Sequence, residues 1–184
     1  MGVSAPRGVP TLRACDHIGL TVPDLDEAVD FFVDVIGFDL AYSHAPVHAK
    51  GAVQRDQFDR HPDTQIVGIA MLTLGTLNLE VFEFAAPDQR RDVPRISDWG
   101  GAHLAFYVDD LDAAVDHLRG KGVRVLGEPM ALPGPEAGDG NRFVFARGPG
   151  GIPIELITYP AGKDYEAAAH RPLFDPRRAP RAVS

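Results

Sequence analysis

The chain has 184 residues, enough for one sizeable core or two small paired modules, and its 45% hydrophobic and 24% charged content is ordinary for a globular protein. A net charge of -8 argues against a nucleic-acid partner, because phosphate contacts need a basic surface. No apolar run approaches the ~18 residues of a membrane span, and the single cysteine, Cys15, excludes an intrachain disulfide.

Residues 1–12 read as an N-terminal extension. MGVSAPRGVPTLRAC lacks the apolar stretch of a secretory signal, so a cytoplasmic protein is expected. Gly2 follows Met1, but Pro6 stands where a myristoylation site wants Ser or Thr. Cys15 lies two residues before a histidine on the first expected strand and reads as a buried structural thiol rather than a nucleophile.

The first module, 13–84, opens with HIGLTVPDLDEAVD at 17–30, and HLAFYVDDLDAAVD repeats it at 103–116. Aligned without a gap, the two agree at eight of fourteen positions: the His, the Val, D-L-D and A-V-D. Each copy has a short apolar strand carrying the His, then an Asp (Asp24, Asp110) placed to cap a helix of about three turns. Glu27 stands at capping-box spacing from Asp24, and the helices stop near Gly37 and near Gly120 or Gly122. Two further strands are expected in the first module at about 38–47 and 65–74, with a long loop at 44–64. A last strand carries Asn78-Leu79-Glu80-Val81.

A polar, proline-bearing linker spans 85–98. In the second module, 99–160, strands are expected at about 122–128 and 141–147, with a Pro/Gly-rich loop at 129–140. Pro153-Ile154-Glu155-Leu156 closes it as the counterpart of the Glu80 strand. Both modules therefore read β-α-β-β-β. The tail, 161–184, ends FDPRRAPRAVS, too proline-rich for a helix at its end, and is expected either to wrap a partner or to fray.

Side chains alternate faces along a strand. His17, Gly19 and Thr21 share one face and Ile18, Leu20 and Val22 the other. His103 and Tyr107 likewise oppose Leu104, Phe106 and Val108. The apolar sets pack under the helices, so the histidines point to the opposite face. The same test places Glu80 with Phe82 and Phe84, and Glu155 with Ile157 and Tyr159, on those non-helix faces. A lone strand histidine is more often a hydrogen-bonded structural residue, but burying an unpaired carboxylate costs several kcal/mol. Two imidazoles and two carboxylates at symmetric positions of a repeat point to one divalent ion held by His17, Glu80, His103 and Glu155. This mixed N/O set suits Ni, Zn, Co, Mn or Fe(II) and leaves a coordination position open for a substrate oxygen. Glu83 competes with Glu80 but lies on the opposite face. His44, His48, His61, His117 and His170 read as solvated, with His48 and His61 the nearest exceptions.

Four stretches carry a resemblance: DHIGLTVPDLDEAVDFFVDVIGF, LGTLNLEVFEF, GAHLAFYVDDLDAAVDHLRGKGV and GPGGIPIELITYP. Over about 13–160 the chain resembles the vicinal oxygen chelate superfamily of glyoxalases, bleomycin-resistance proteins and extradiol dioxygenases. The resemblance implies an α+β fold, two tandem βαβββ modules forming a cup-shaped mixed sheet around a metal site. It also implies a metal-dependent enzyme. A carboxylate at the Glu80 position favours a glyoxalase I-like lyase or isomerase, acting through a metal-stabilised enediolate on a small vicinal-oxygen substrate, over an Fe(II) extradiol dioxygenase. A non-enzymatic drug-binding protein of the bleomycin-resistance kind is the third alternative. By resemblance Glu155 is the base and Glu80 its counterpart, and Tyr107 or His48 would be supporting groups in the dioxygenase reading. The 44–64 loop, the stretch between Glu80 and His103 and the tail are longer than in compact bacterial glyoxalase I. No glutathione-binding arginine pattern is present. The expected partners are a small-molecule substrate and a second copy in a homodimer, with neither nucleic acid nor membrane.

Overall fold

A computed structural model describes residues 8–44, 46, 51–171 and 173–179. The first module comprises β1 (Ile18–Val22), α1 (Leu25–Asp30), β2 (Asp39–His44), α2 (Ala52–Phe58), β3 (Gln65–Leu74) and β4 (Leu77–Ala85). The second comprises β5 (Leu104–Tyr107), α3 (Leu111–Gly120), β6 (Arg124–Ala131), β7 (Arg142–Arg147) and β8 (Pro153–Thr158). Each module folds into a four-stranded mixed sheet, in the orders β1-β4-β3-β2 and β5-β8-β7-β6. The strand that opens each module lies parallel to the one that closes it, and the other pairs are antiparallel. The fold is α+β, built from two βαβββ units.

Helices α1 and α3 start as their caps dictate. Asp24 Oδ1 accepts from the Glu27 N–H at 2.9 Å and Asp110 Oδ1 from the Ala113 N–H at 3.0 Å, each satisfying a first-turn donor. α1 runs on through a π-helical stretch, Phe31–Ile36, to Gly37, whose φ of 99° is open to glycine and costly for other residues. There the Gly37 and Phe38 N–H groups both reach the Phe32 carbonyl.

One apolar core joins the modules. It takes Val22, Ala28, Phe32, Leu72, Leu79 and Val81 from the first and Leu104, Leu111, Val115, Val144, Ile154 and Leu156 from the second. These are the helix-side residues of each sheet, so the modules share their helical sides. Phe38 meets Phe106 edge-on at 5.9 Å, and His117 Nε2 donates to the Val35 carbonyl at 3.0 Å. At Gly150, with φ of 59°, a Cβ would lie 2.4 Å from Pro23 Cδ, so the β7–β8 turn and the β1–α1 turn touch backbone to ring.

Some elements differ from expectation. The 44–64 loop contains α2, anchored where buried Gln54 donates through Nε2 to the Thr64 carbonyl at 3.2 Å. β6 continues to Ala131 past a register shift between Leu126 and Met130, so the Pro/Gly-rich loop begins later than 129. Cys15 is exposed, not buried, because β1 begins only at Ile18 and the thiol precedes the sheet. The described part of the tail packs against the second module. Arg177 pairs with Asp175 at 2.7 Å and Glu166 at 3.1 Å and lies over the Tyr159 ring at 5.3 Å, so it folds back on β8. Among the described residues, no helix is long and apolar enough to cross a membrane.

Candidate metal centre

His17 and His103 occupy the positions just before β1 and β5, while Glu80 and Glu155 lie on the parallel neighbours β4 and β8. Register brings them together. Gly19 pairs with Glu80 and Ala105 with Glu155, so each His, two residues earlier on the same face, lies beside its Glu. His17 Nε2 stands 3.1 Å from Glu80 Oε2, and His103 Nε2 stands 3.0 Å from Glu155 Oε2. Glu83, on the other face of β4, accepts from the Leu25 N–H at 3.0 Å and caps α1, which occupies it in the helix side of the sheet.

The surroundings of the two pairs differ. His17 Nδ1 is 2.8 Å from Asp16 Oδ2, an arrangement in which a carboxylate orients an imidazole and leaves Nε2 for the Glu80 side. The Asp16 hydrogen bond, with the nearby Glu80 charge, raises the His17 pKa above its ordinary value. His103 packs edge-on against Phe145 at 5.4 Å. Glu155 is 9% exposed, and its burial foremost, with Glu136 adding, raises its pKa, while His103 and Lys163 oppose the rise. Lys163 is ion-paired to Glu136 and lies 4.5 Å over the Tyr159 ring. Tyr159, Ile157 and Leu132 form a second small apolar cluster, with Tyr107 and Phe143 against it, that walls this face. Tyr107 meets Tyr159 at 4.8 Å.

The structure gathers the four predicted residues as two pairs rather than one quartet. Among the described residues, no group of three or more His, Cys, Asp and Glu side chains is placed to hold a metal. The reason is the shared core: the modules meet through their helical sides, and each His–Glu pair lies on the opposite face of its sheet. Each pair nonetheless suits half of a metal site. Two donors about 2.1 Å from one ion at right angles lie about 3.0 Å apart, the spacing of both pairs. That same spacing is a hydrogen bond between an imidazole N–H and a carboxylate.

Of the other histidines, His44 ends β2 exposed and His170 is exposed in the tail. His117 bonds the Val35 carbonyl, and His48 lies outside the described residues. His61 accepts at Nδ1 from the Asp63 N–H at 3.1 Å. Sequence reasoning missed Asp16, although it directly precedes His17, and missed Glu136 and Lys163, which approach Glu155 from distant loops. A cleft of about 480 Å3, lined by residues including Glu27, Asp34, Lys121 and Arg124, contains none of the four predicted ligands.

The chain is 49% identical over 173 residues to a 2-epi-5-epi-valiolone epimerase of Actinomyces sp, covering 92% of each. It is 30% identical to an uncharacterized protein of Escherichia coli K12, covering 79% of this chain and 95% of that one. Its fold is that of a glyoxalase family protein from Bacillus cereus (TM-score 0.63, 24% identity, 82% of this chain and 98% of that one). A fosfomycin resistance protein from Listeria monocytogenes shares it as well (TM-score 0.53, 14% identity, 82% and 97%). The model of the Glyoxalase/Bleomycin resistance protein/Dioxygenase superfamily matches residues 14–156, and the chain belongs to that superfamily.

Proposed function

We propose that this protein is a metal-dependent isomerase that inverts a carbon next to a carbonyl in a small oxygen-rich substrate. The observation that carries this is the pair of equivalent His–Glu couples, at 3.1 and 3.0 Å, one per module. The epimerase relative at 49% identity supports the isomerase side of the lyase/isomerase alternative.

In this reading His17 and Glu80 of one copy and His103 and Glu155 of a second copy hold one divalent ion. The ion, when bound, supplies Lewis acidity toward the substrate carbonyl oxygen. Proton transfer belongs to the carboxylates. Inversion needs a proton taken from one face of the carbon and returned to the other, and Glu155 and Glu80, from two different modules, supply a carboxylate for each face. Glu155 is the better base, because burial raises its pKa toward neutrality, where a base is most effective. Asp16 holds His17 in register. The walling of Glu155 by Tyr159, Ile157 and Leu132 keeps water from the transferring proton. A second copy would also cover Trp99, which is 103% exposed in the single chain and four residues before His103.

The test is proton exchange. The purified protein, loaded in turn with Ni, Co, Zn, Mn and Fe(II), is incubated in D2O with cyclic polyhydroxyketones, and the α-carbon signal is followed by NMR. Deuterium should enter with inversion, without oxygen consumption, and be lost on chelation and in Glu155→Gln. Oxygen uptake with ring cleavage, or exchange unaffected by Glu155→Gln, would overturn the reading.

A further inference from the structure

β8 ends at Thr158, and the chain beyond it stays on the Glu155 side of the second sheet. Glu155, Ile157 and Tyr159 alternate onto the non-helix face. Ala105 and Phe145 pair with Glu155 from its two neighbouring strands, and Tyr107 and Phe143 pair with Ile157 in the same way. Glu155 therefore lies about 6.6 Å along the strand, at ~3.3 Å per residue, from Ile157. Ile157 is itself a member of the apolar cluster that includes Tyr159, Leu132, Tyr107 and Phe143.

The tail holds this cluster through Tyr159. Two of its cations lie over the Tyr159 ring, Lys163 at 4.5 Å and Arg177 at 5.3 Å. Carboxylates fix both. Lys163, whose side chain is 10% exposed, is ion-paired to Glu136, and both charges of that pair act on Glu155. Arg177 donates from Nε to Asp175 Oδ1 at 2.7 Å, from Nη2 to Glu166 Oε2 at 3.1 Å and from Nη1 to the Tyr159 carbonyl at 3.4 Å. Asp175 Oδ1 also accepts from the Arg177 N–H at 3.1 Å, which closes the clasp on its own backbone. The turn between the two cations is tied to the β6–β7 loop. Buried Asn141 donates from Nδ2 to the carbonyls of Gly162 at 2.8 Å and Glu136 at 3.0 Å, and the Asp164 N–H donates to the Ala137 carbonyl at 3.0 Å.

Surface ion pairs of this kind add little to global stability, because ordering long side chains offsets most of their attraction. Their effect is local: they fix where Tyr159, and with it the apolar wall beside Glu155, sits. That wall matters during proton transfer. When Glu155 takes the proton, the C–H bond breaks, an O–H bond forms on the carboxylate, and the electron pair passes into the carbonyl system of the substrate. The proton then either returns to the same face of the carbon or exchanges with solvent first, and a closed wall favours return. We infer that Arg177 and Lys163 of the tail are positioning residues, which act through Tyr159 to keep the Glu155 half of the site closed to water. The inference rests on the isomerase reading for its consequence, but the closure is a property of the protein alone.

Full-length wild type, Arg177→Ala, Arg177→Lys and Asp175→Asn are compared in two assays. In the first, the metal-loaded proteins act on a cyclic polyhydroxyketone in D2O, and NMR measures deuterium in the unreacted substrate and in the inverted product. Arg177→Ala and Asp175→Asn should raise the deuterium in unreacted substrate relative to product at least about threefold, because the opened wall lets the abstracted proton exchange before it returns. Arg177→Lys, which keeps the cation but not the fork, should fall between them and wild type. A merely structural role would lower both signals together and leave the ratio unchanged, which overturns the proposal. The second assay needs neither metal nor substrate: tetranitromethane nitration, mapped by mass spectrometry. Exposed Tyr42 is the reference and should react alike in all four proteins. Buried Tyr159 should react at least about fivefold faster in Arg177→Ala and Asp175→Asn than in wild type, as local opening uncovers it. Equal protection of Tyr159 in all four proteins also overturns the proposal. Thermal melts show which variants fold, and Lys163→Met stands in for any that does not. Uncovered Tyr159 in the variants with no proton exchange by wild type would sink the isomerase reading and leave the closure standing. Exchange by wild type with Tyr159 equally protected would do the reverse.

Discussion

If the metal centre is shared between copies, two inactive variants should restore each other. His17→Ala removes one ligand from the first pair and His103→Ala one from the second, and each alone should cost more than the ~10–100-fold that losing an outer-shell partner costs. In the structure the two pairs of one chain do not form one group: among the described residues no three such side chains are placed to hold an ion. In a two-fold dimer each site therefore takes its first pair from one copy and its second from the other. In a mixed dimer one site carries both substitutions and the other carries neither. Random re-association of equal amounts makes half the dimers mixed, each with one intact site of two, so about a quarter of wild-type activity should return. The assay is α-proton exchange in D2O before and after subunit mixing, with mixed dimers counted by native mass spectrometry. Mixed dimers present at the expected fraction without recovered exchange would refute the shared site, and so would a monomer that is fully active.

Gly150→Ala should destabilise the fold by ~2–4 kcal/mol, since its left-handed backbone and the 2.4 Å approach to Pro23 both penalise a Cβ. At this chain length that is a Tm lower by roughly 4–16 °C, measured by calorimetry. Glu83→Ala should cost ~1–2 kcal/mol through the lost cap on Leu25 and leave metal content unchanged, whereas Glu80→Ala should abolish stoichiometric metal; mass spectrometry of the two distinguishes them. In metal-free protein Glu155→Gln should raise Tm at neutral pH. The folded pKa of Glu155 is raised by burial, so its ionisation disfavours the native state as pH climbs above the ordinary 4.5 through the raised value; below 4.5 the variant and wild type should melt alike.

Much of this molecule was legible in its sequence because the signal is local and repeated. The capping aspartates, the alternation that places His17 with Glu80 and His103 with Glu155, and the choice of Glu80 over Glu83 all follow from strand and helix periodicity within short segments. α2 was not legible: its seven residues lie in a polar stretch with no apolar stripe, and it is held by one buried amide, Gln54, whose partner Thr64 is ten residues away. Cys15 misled because alternation does not say where a strand starts. The lysine and glutamate near Glu155 come from loops 27 residues apart, which no pattern connects. What the tertiary structure alone decided is how the modules face. Both are apolar on their helical sides, and their opposite faces also carry apolar and aromatic residues, Ile157, Tyr159 and Tyr107 among them, so either side could have been turned inward. Burial of Phe32, Phe38 and Leu111 in one shared core, with Phe106 packed against it, leaves the two His–Glu pairs on the strand faces away from it, and a pattern with a period of two or 3.6 residues carries no information about which sheet an apolar face will meet.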